Sequence, residues 1–230
     1  MPIQPLLALL DARERQPLQG QVVHHPAGQA GAPAPGQAWF ALKGVLGVRA
    51  AGAGTGVPMA LVGADGWLDH MPGVQVQALL AATVCELVWP PQAHTPAMAR
   101  WLQLCAARAL ALQAQMAHWA ACRQRGRLPA LAAAWSLHAL ALAGPEGPIW
   151  PAAQLQHALG MARPDFDRVC RHLTDCSAWQ WAGQDLKLGE RSQLEAVDGV
   201  SQWPPAPTQA LASASATWMP STPADKMPPA

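Results

Sequence analysis

The sequence predicts an α+β chain in three parts: an N-terminal β-roll, one long central helix, and a C-terminal helix-turn-helix closed by a β-hairpin. Three observations predict it. Between Val22 and Pro91, glycine and proline recur every few residues and separate short apolar runs. From Met98 to Trp119, apolar residues recur at alternating steps of four and three. From Pro151 to Leu188 the chain reads helix, glycine, helix, hairpin.

Composition sets the frame. A chain of 230 residues with 51% hydrophobic residues can bury a core. Charged residues make up only 13%, against a usual globular share of about 25%. A formal net charge of +1 excludes a broadly basic nucleic-acid coat but permits a local charged surface. Cys85, Cys105, Cys122, Cys170 and Cys176 include no C-x-x-C pair, and their number is odd. Reduced thiols in a cytoplasmic protein fit that pattern better than a disulfide framework or a zinc site. The stretch Leu128 to Ala143 is shorter than the roughly 20 residues that a spanning helix needs, so it reads as a buried helix and no membrane is expected.

The elements follow in order. Ile3 to Arg15 reads as one short helix. Trp39 to Leu42, Val45 to Val48, Met59 to Val62 and Thr83 to Val88 are short strands, with Gly44, Gly63 and Gly66 at turns, which makes residues 1–94 a roll or barrel. Thr95 and Pro96 form an N-cap and a first-turn proline. Met98, Leu102, Cys105, Ala109, Leu112, Met116 and Trp119 then sustain a heptad over residues 95–125, the spacing with which two copies of a helix interlock. Packing of that helix on its own core is the alternative. Gly126 ends it, a second apolar helix runs from Pro129 to Leu142, and residues 144–148 form a loop.

Residues 126–198 carry the remaining signals. Pro151 to Leu159 is a short helix stopped by Gly160, which can take the positive φ of a tight turn. Arg163-Pro164 opens a second helix with Phe166, Val169, Cys170 and Leu173 as its apolar stripe. Trp179-Gln180-Trp181 and Leu186-Lys187-Leu188 flank a glycine turn as a hairpin, and a last helix spans Glu190 to Val197. This order is that of a winged helix-turn-helix, which lays its second helix into the major groove of DNA. The tail, residues 199–230, is rich in Pro, Ala and Ser without periodicity and is expected to be disordered.

With those residues in place, the chain resembles the Crp/Fnr family over residues 1 to 197. The carrying motif is Leu155-x-x-x-Leu159-Gly160-Met161-Ala162-Arg163-x-x-x-x-Arg168, and Met59 to Val62 followed by Gly63-x-Asp65-Gly66 is similar to a segment of the family's roll. The resemblance implies a cyclic-nucleotide-binding-like roll, a dimerisation helix, and a DNA-binding winged helix-turn-helix acting as a transcription regulator. Ala162, Arg163, Asp165, Asp167, Arg168, Arg171 and Lys187 become the DNA-facing residues. Double-stranded DNA, a second copy of the chain (a homodimer) and RNA polymerase become its partners, and the small-molecule effector stays unidentified. Pro164 stands where many members carry an acid, so base preference does not transfer. No Lys or Arg lies between Ala50 and Ala99. A cyclic phosphate would lack a charge-assisted partner there, and cyclic AMP is not expected. The first cysteine is Cys85, too late for the N-terminal cysteine cluster of an iron–sulfur branch, so no cofactor is expected.

Other constellations weigh less. His24 and His25 are neighbours on a strand and point to opposite faces, a poor metal pair. Cys170 sits on an apolar stripe and reads as structural. Arg123, Arg125 and Arg127 are a phosphate contact or a solvated corner. No nucleophile elbow, P-loop or H-E-x-x-H appears, so catalysis has no visible carrier. Between Gly160 and Arg191 five cations meet five acids. That balance supports a competing reading, a protein-interaction module that keeps the fold without reading DNA.

Overall fold

The computed structural model describes residues 19–51, 58–64, 66–88, 96–124, 127–143 and 149–200. The helix expected over residues 3–15, Thr95, Asp65 and all of the tail beyond Val200 lie outside them.

Eight strands build the roll as two four-stranded antiparallel sheets. They are β1 (Gln19–His25), β2 (Ala30–Gly31), β3 (Gln37–Lys43), β4 (Leu46–Ala50), β5 (Ala60–Val62), β6 (Trp67–Asp69), β7 (Val74–Ala78) and β8 (Ala82–Val88). The sheet orders are β1-β8-β3-β6 and β2-β7-β4-β5. The four apolar runs expected as strands correspond to β3, β4, β5 and β8, and turns follow at Gly44 and between Gly63 and Gly66. β2, β6 and β7 were not anticipated, and β1 only as the strand that carries His24 and His25. They lack continuous apolar runs, because each keeps one side wet or is too short to show a period. The interior is closed by Trp39, Leu46, Val48, Leu68 and Val76, each 5% exposed or less.

Helix α1 (Pro96–Gln124) runs from the roll to α2 (Leu128–Ala143). Mean hydropathy is high along α2, and seven of its residues are buried. Trp135, fully buried, donates from Nε1 to the Met59 carbonyl at 3.0 Å. Ser136 donates to the Ala132 carbonyl at 2.7 Å and accepts the Trp179 indole N–H at 3.1 Å, so its buried hydroxyl is satisfied twice.

The C-terminal part orders as β9 (Ile149–Pro151), α3 (Ala152–Ala158), α4 (Arg163–Asp175), β10 (Trp179–Ala182), β11 (Asp185–Leu188) and α5 (Arg191–Glu195). β10, β11 and β9 form a three-stranded antiparallel sheet, one strand more than the expected hairpin. α5 is shorter than expected and starts from a capping box between Glu190 and Gln193. This head is not a separate bead. One apolar cluster contains Val45, Met59, Leu61 and Leu79 of the roll together with Trp135, Trp150, Leu155 and Ala158. The Met59 N–H donates to the Ala158 carbonyl at 2.8 Å. Gly63 lies so close to Leu142 that an added Cβ would stand 2.6 Å from its Cβ, which accounts for glycine there.

Candidate nucleic-acid interface

The candidate surface is built from α3, the turn at Gly160, α4 and the β10–β11 wing. Leu155 and Ala158 bury the inner face of α3. Gly160 then takes φ +61°, a value that would strain a residue with a side chain, and the chain reverses into α4. Ala162 is extended at φ −65°, ψ 151° and precedes the first turn, where Pro164 costs no hydrogen bond and Asp165 offsets the helix dipole.

α4 divides cleanly. Phe166, Val169, Cys170 and Leu173 are buried, with Phe166 packed 6.2 Å from the Trp179 ring. Burial, followed by the Asp167 charge, raises the Cys170 thiol to about 11. It is therefore a packed thiol rather than a reactive one. The opposite face presents Arg163, Pro164, Arg168, Arg171 and His172 to solvent, with Asp165 and Asp167 half-buried among them.

The acids interleave with the arginines. Arg163 Nε lies 2.9 Å from Asp167 Oδ1 and donates to Oδ2 at 3.1 Å. Arg168 Nη2 stands 3.9 Å from Asp165 Oδ1. Arg171 makes no ion pair among the described residues, its Nε reaching only the Asp167 carbonyl at 3.5 Å. An exposed pair of this kind is worth about 0.3–0.5 kcal/mol, so either arginine can leave its acid for a stronger anion at little cost. On the wing, Lys187 is exposed and shares the outer sheet face with Gln180 and Ile149.

Solved structures share this architecture. A transcriptional regulator of the crp/fnr family from Eubacterium rectale superposes with TM-score 0.58 at 13% identity, over 83% of this chain and 96% of that one. FixK2 from Bradyrhizobium japonicum gives 0.52 at 13%, over 79% and 98%. A CRP/FNR-family transcriptional regulator from Thermus thermophilus gives 0.51 at 19%, over 76% and 96%. The chain has the Crp/Fnr fold. No protein-family model matches it, and no curated protein does.

Within the Crp/Fnr fold the long helix turns part of its expected seam inward. The expected seam residues Cys105, Leu112 and Trp119 are 6%, 2% and 2% exposed inside their own subunit. Leu112 closes the roll interior, Trp119 joins the core shared with the head, and Cys105 packs with Phe40 and Cys85. Their own chain covers these three side chains. Leu102 is 59% exposed, Ala109 and Met116 sit at the boundary, and the Met98 side chain lies outside the described residues. Leu110, which the heptad skipped, is the most exposed large apolar side chain among the described residues of α1, at 66%.

The roll of the Crp/Fnr fold raises the question of a cyclic nucleotide. β7, Val74–Ala78, carries no cation, and the interior is filled by apolar side chains. Among the described residues, β7 offers a cyclic phosphate no charged partner. A cation does approach from elsewhere, a residue that the sequence reading missed. Arg108 of α1 is 9% exposed and donates from Nε to the Trp67 carbonyl at 3.2 Å. Its signal was an arginine lying three and four residues from Cys105 and Leu112 on the inward stripe. Beside it Gln115 accepts the Leu61 N–H at 2.6 Å and meets His138 Nε2 at 3.0 Å, so a polar seam ties α1, α2 and β5 together.

His24 is exposed and His25 buried, on opposite sides of β1 as a strand requires. Among the described residues no three His, Cys, Asp or Glu side chains gather in metal-binding geometry. No described helix is long and apolar enough to cross a membrane. Arg123 is half-buried and Arg127 exposed, while Arg125 lies outside the described residues.

Proposed function

We propose that the chain is a DNA-binding transcription regulator that works as a homodimer, with α4 seated in the major groove. The observation that carries the reading is the outward charged face of α4, opposite a stripe that is fully committed to the core. Arg163 and Arg168 stand at the start and middle of that face, where bidentate contacts to guanine or a grip on phosphate are made in this docking mode. Arg171 and Lys187, without acid partners among the described residues, supply phosphate contacts. A pair of subunits meets along the outward stripe of α1, with Leu102 and Leu110 as its anchors and small residues such as Ala106 and Ala117 allowing close approach. RNA polymerase is a further partner of a regulator of this kind. An effector, if the roll takes one, differs from cyclic AMP.

Selection of bound sequences from a random duplex pool tests the reading. A single recurring motif with two half-sites about one helical turn apart is expected, and its loss in Arg163→Ala and Arg168→Ala identifies the reading helix. Recovery of no motif at moderate salt overturns it. Leu110→Asp separates the dimer claim, since sedimentation should then report a folded monomer.

One observation favours a second reading. The pairs Arg163–Asp167 and Arg168–Asp165 leave α4 with three arginines and three aspartates, a face that gains little from counterion release. A protein-interaction module would use such a face directly. Unchanged partner capture in the presence of excess DNA, with no selected motif, would establish it.

A further inference from the structure

We infer that Trp181 at the wing is a DNA-backbone contact, with its ring laid on a deoxyribose and its indole N–H directed to a phosphate oxygen. The inference rests on the DNA reading above and adds a residue that the charge pattern does not reveal.

The sheet geometry carries the argument. Trp179 and Trp181 lie two apart on β10 and therefore share a sheet face. That face is the one turned toward α4, because Trp179 packs against Phe166 and donates to Ser136. Trp181 is in register with Leu186 and Trp150, both fully buried, yet remains 52% exposed itself. The sheet thus continues past the edge of the core, and its last large side chain on the α4 side projects into solvent. A half-exposed tryptophan leaves a large apolar ring and an N–H donor in water, a combination best used where one partner surface is both apolar and anionic. Between a recognition helix and its wing, the sugar–phosphate backbone is that surface. The adjoining tip residues Ala182, Gly183 and Gln184 are uncharged and exposed, and the half-buried Asp185, paired with Ala182, lies on the sheet face opposite Trp181.

Such a contact has a signature that separates it from the arginines. An indole displaces no counterion, so its removal weakens binding without changing the salt dependence, whereas each lost cation lowers the slope by about one unit. The experiment uses the full chain and its selected duplex, titrated over a range of salt. Trp181→Ala should bind about tenfold more weakly, with the selected motif and the salt slope unchanged. One phosphate should vanish from its ethylation-interference pattern. Trp181→Phe, which keeps the ring but not the donor, should recover most of the affinity, and equal melting temperatures guard against a folding effect. Affinity within about twofold of the parent, while the parent still selects its motif, overturns the inference and leaves this rim to a protein contact. A parent that selects no motif instead removes the DNA reading itself, and this inference with it.

Discussion

Helices α1 and α4 are both spaced for one-sided packing, yet only α4 has two chemically different sides. Its buried stripe is Phe166, Val169, Cys170 and Leu173, and every charged side chain stands elsewhere on the cylinder. α1 carries apolar and polar side chains on both sides: Leu112 and Trp119 point inward beside Arg108 and Gln115, and Leu102 and Leu110 outward beside Gln103 and Gln113. A helix with one wet face declares its orientation. A helix pressed between its own domain and a second surface does not, because both faces need apolar residues at the same three-and-four spacing.

Substitutions can break or sharpen that contrast. The largest effect belongs to the inward face of α1. Leu112→Ala opens a cavity in the roll and should cost about 2–5 kcal/mol, read by denaturant unfolding. A cost below that range would place Leu112 nearer the surface and restore it to the intersubunit seam. On α4, Arg163→Ala should leave stability almost unchanged and remove roughly 1–3 kcal/mol of discrimination at one base position. Competition binding against single-base variants of the selected site measures it.

Acid should act on the inward side of α1. Burial first, and the Arg108 charge second, lower the His138 pKa from 6.5 to about 4. The folded protein keeps this ring neutral while the unfolded chain takes up the proton. The His138 contribution is therefore intact above pH 6.5 and lost as pH falls toward 4, at roughly 1.4 kcal/mol per pH unit at most. Thermal melts between pH 7 and pH 5 should be less pH-sensitive in His138→Gln than in the parent. The smallest effect is on the outward face of α4. Asp167→Asn frees Arg163, and with one negative charge fewer near the duplex it should tighten DNA binding a few-fold and steepen the salt dependence. Weaker binding would mean that Asp167 positions Arg163 for its base.

The same contrast explains what could be read from the sequence. The head was legible because its signals are local: Gly160 for the turn, Pro164 for the helix start, and Ala182-Gly183-Gln184 for the hairpin. Those residues are chosen by backbone conformation, which a neighbouring domain hardly alters. In the roll, continuous apolar runs found β3, β4, β5 and β8 but passed over β7, whose Val-Gln-Val-Gln-Ala alternation is a plain period of two. β2 spans two residues and β6 three, too short for any period to register. The α4 arginines were placed correctly as exposed. Their pairing with Asp165 and Asp167 follows from four- and three-residue separations that the sequence already contained. The direction of Leu112 and Trp119 was not legible, since it depends on which surface the roll leaves uncovered.

The hydrogen bond from Met59 to the Ala158 carbonyl, with Trp135 tied to the same Met59, bears on how the chain could be dissected. A fragment beginning at Arg127 would lose the floor on which Trp135, Leu155 and Ala158 rest. The complementary fragment would expose Met59, Leu61 and Leu79 to water. Neither half is a freestanding cassette, and grafting the reader onto a foreign sensor would have to carry this patch of the roll along with it.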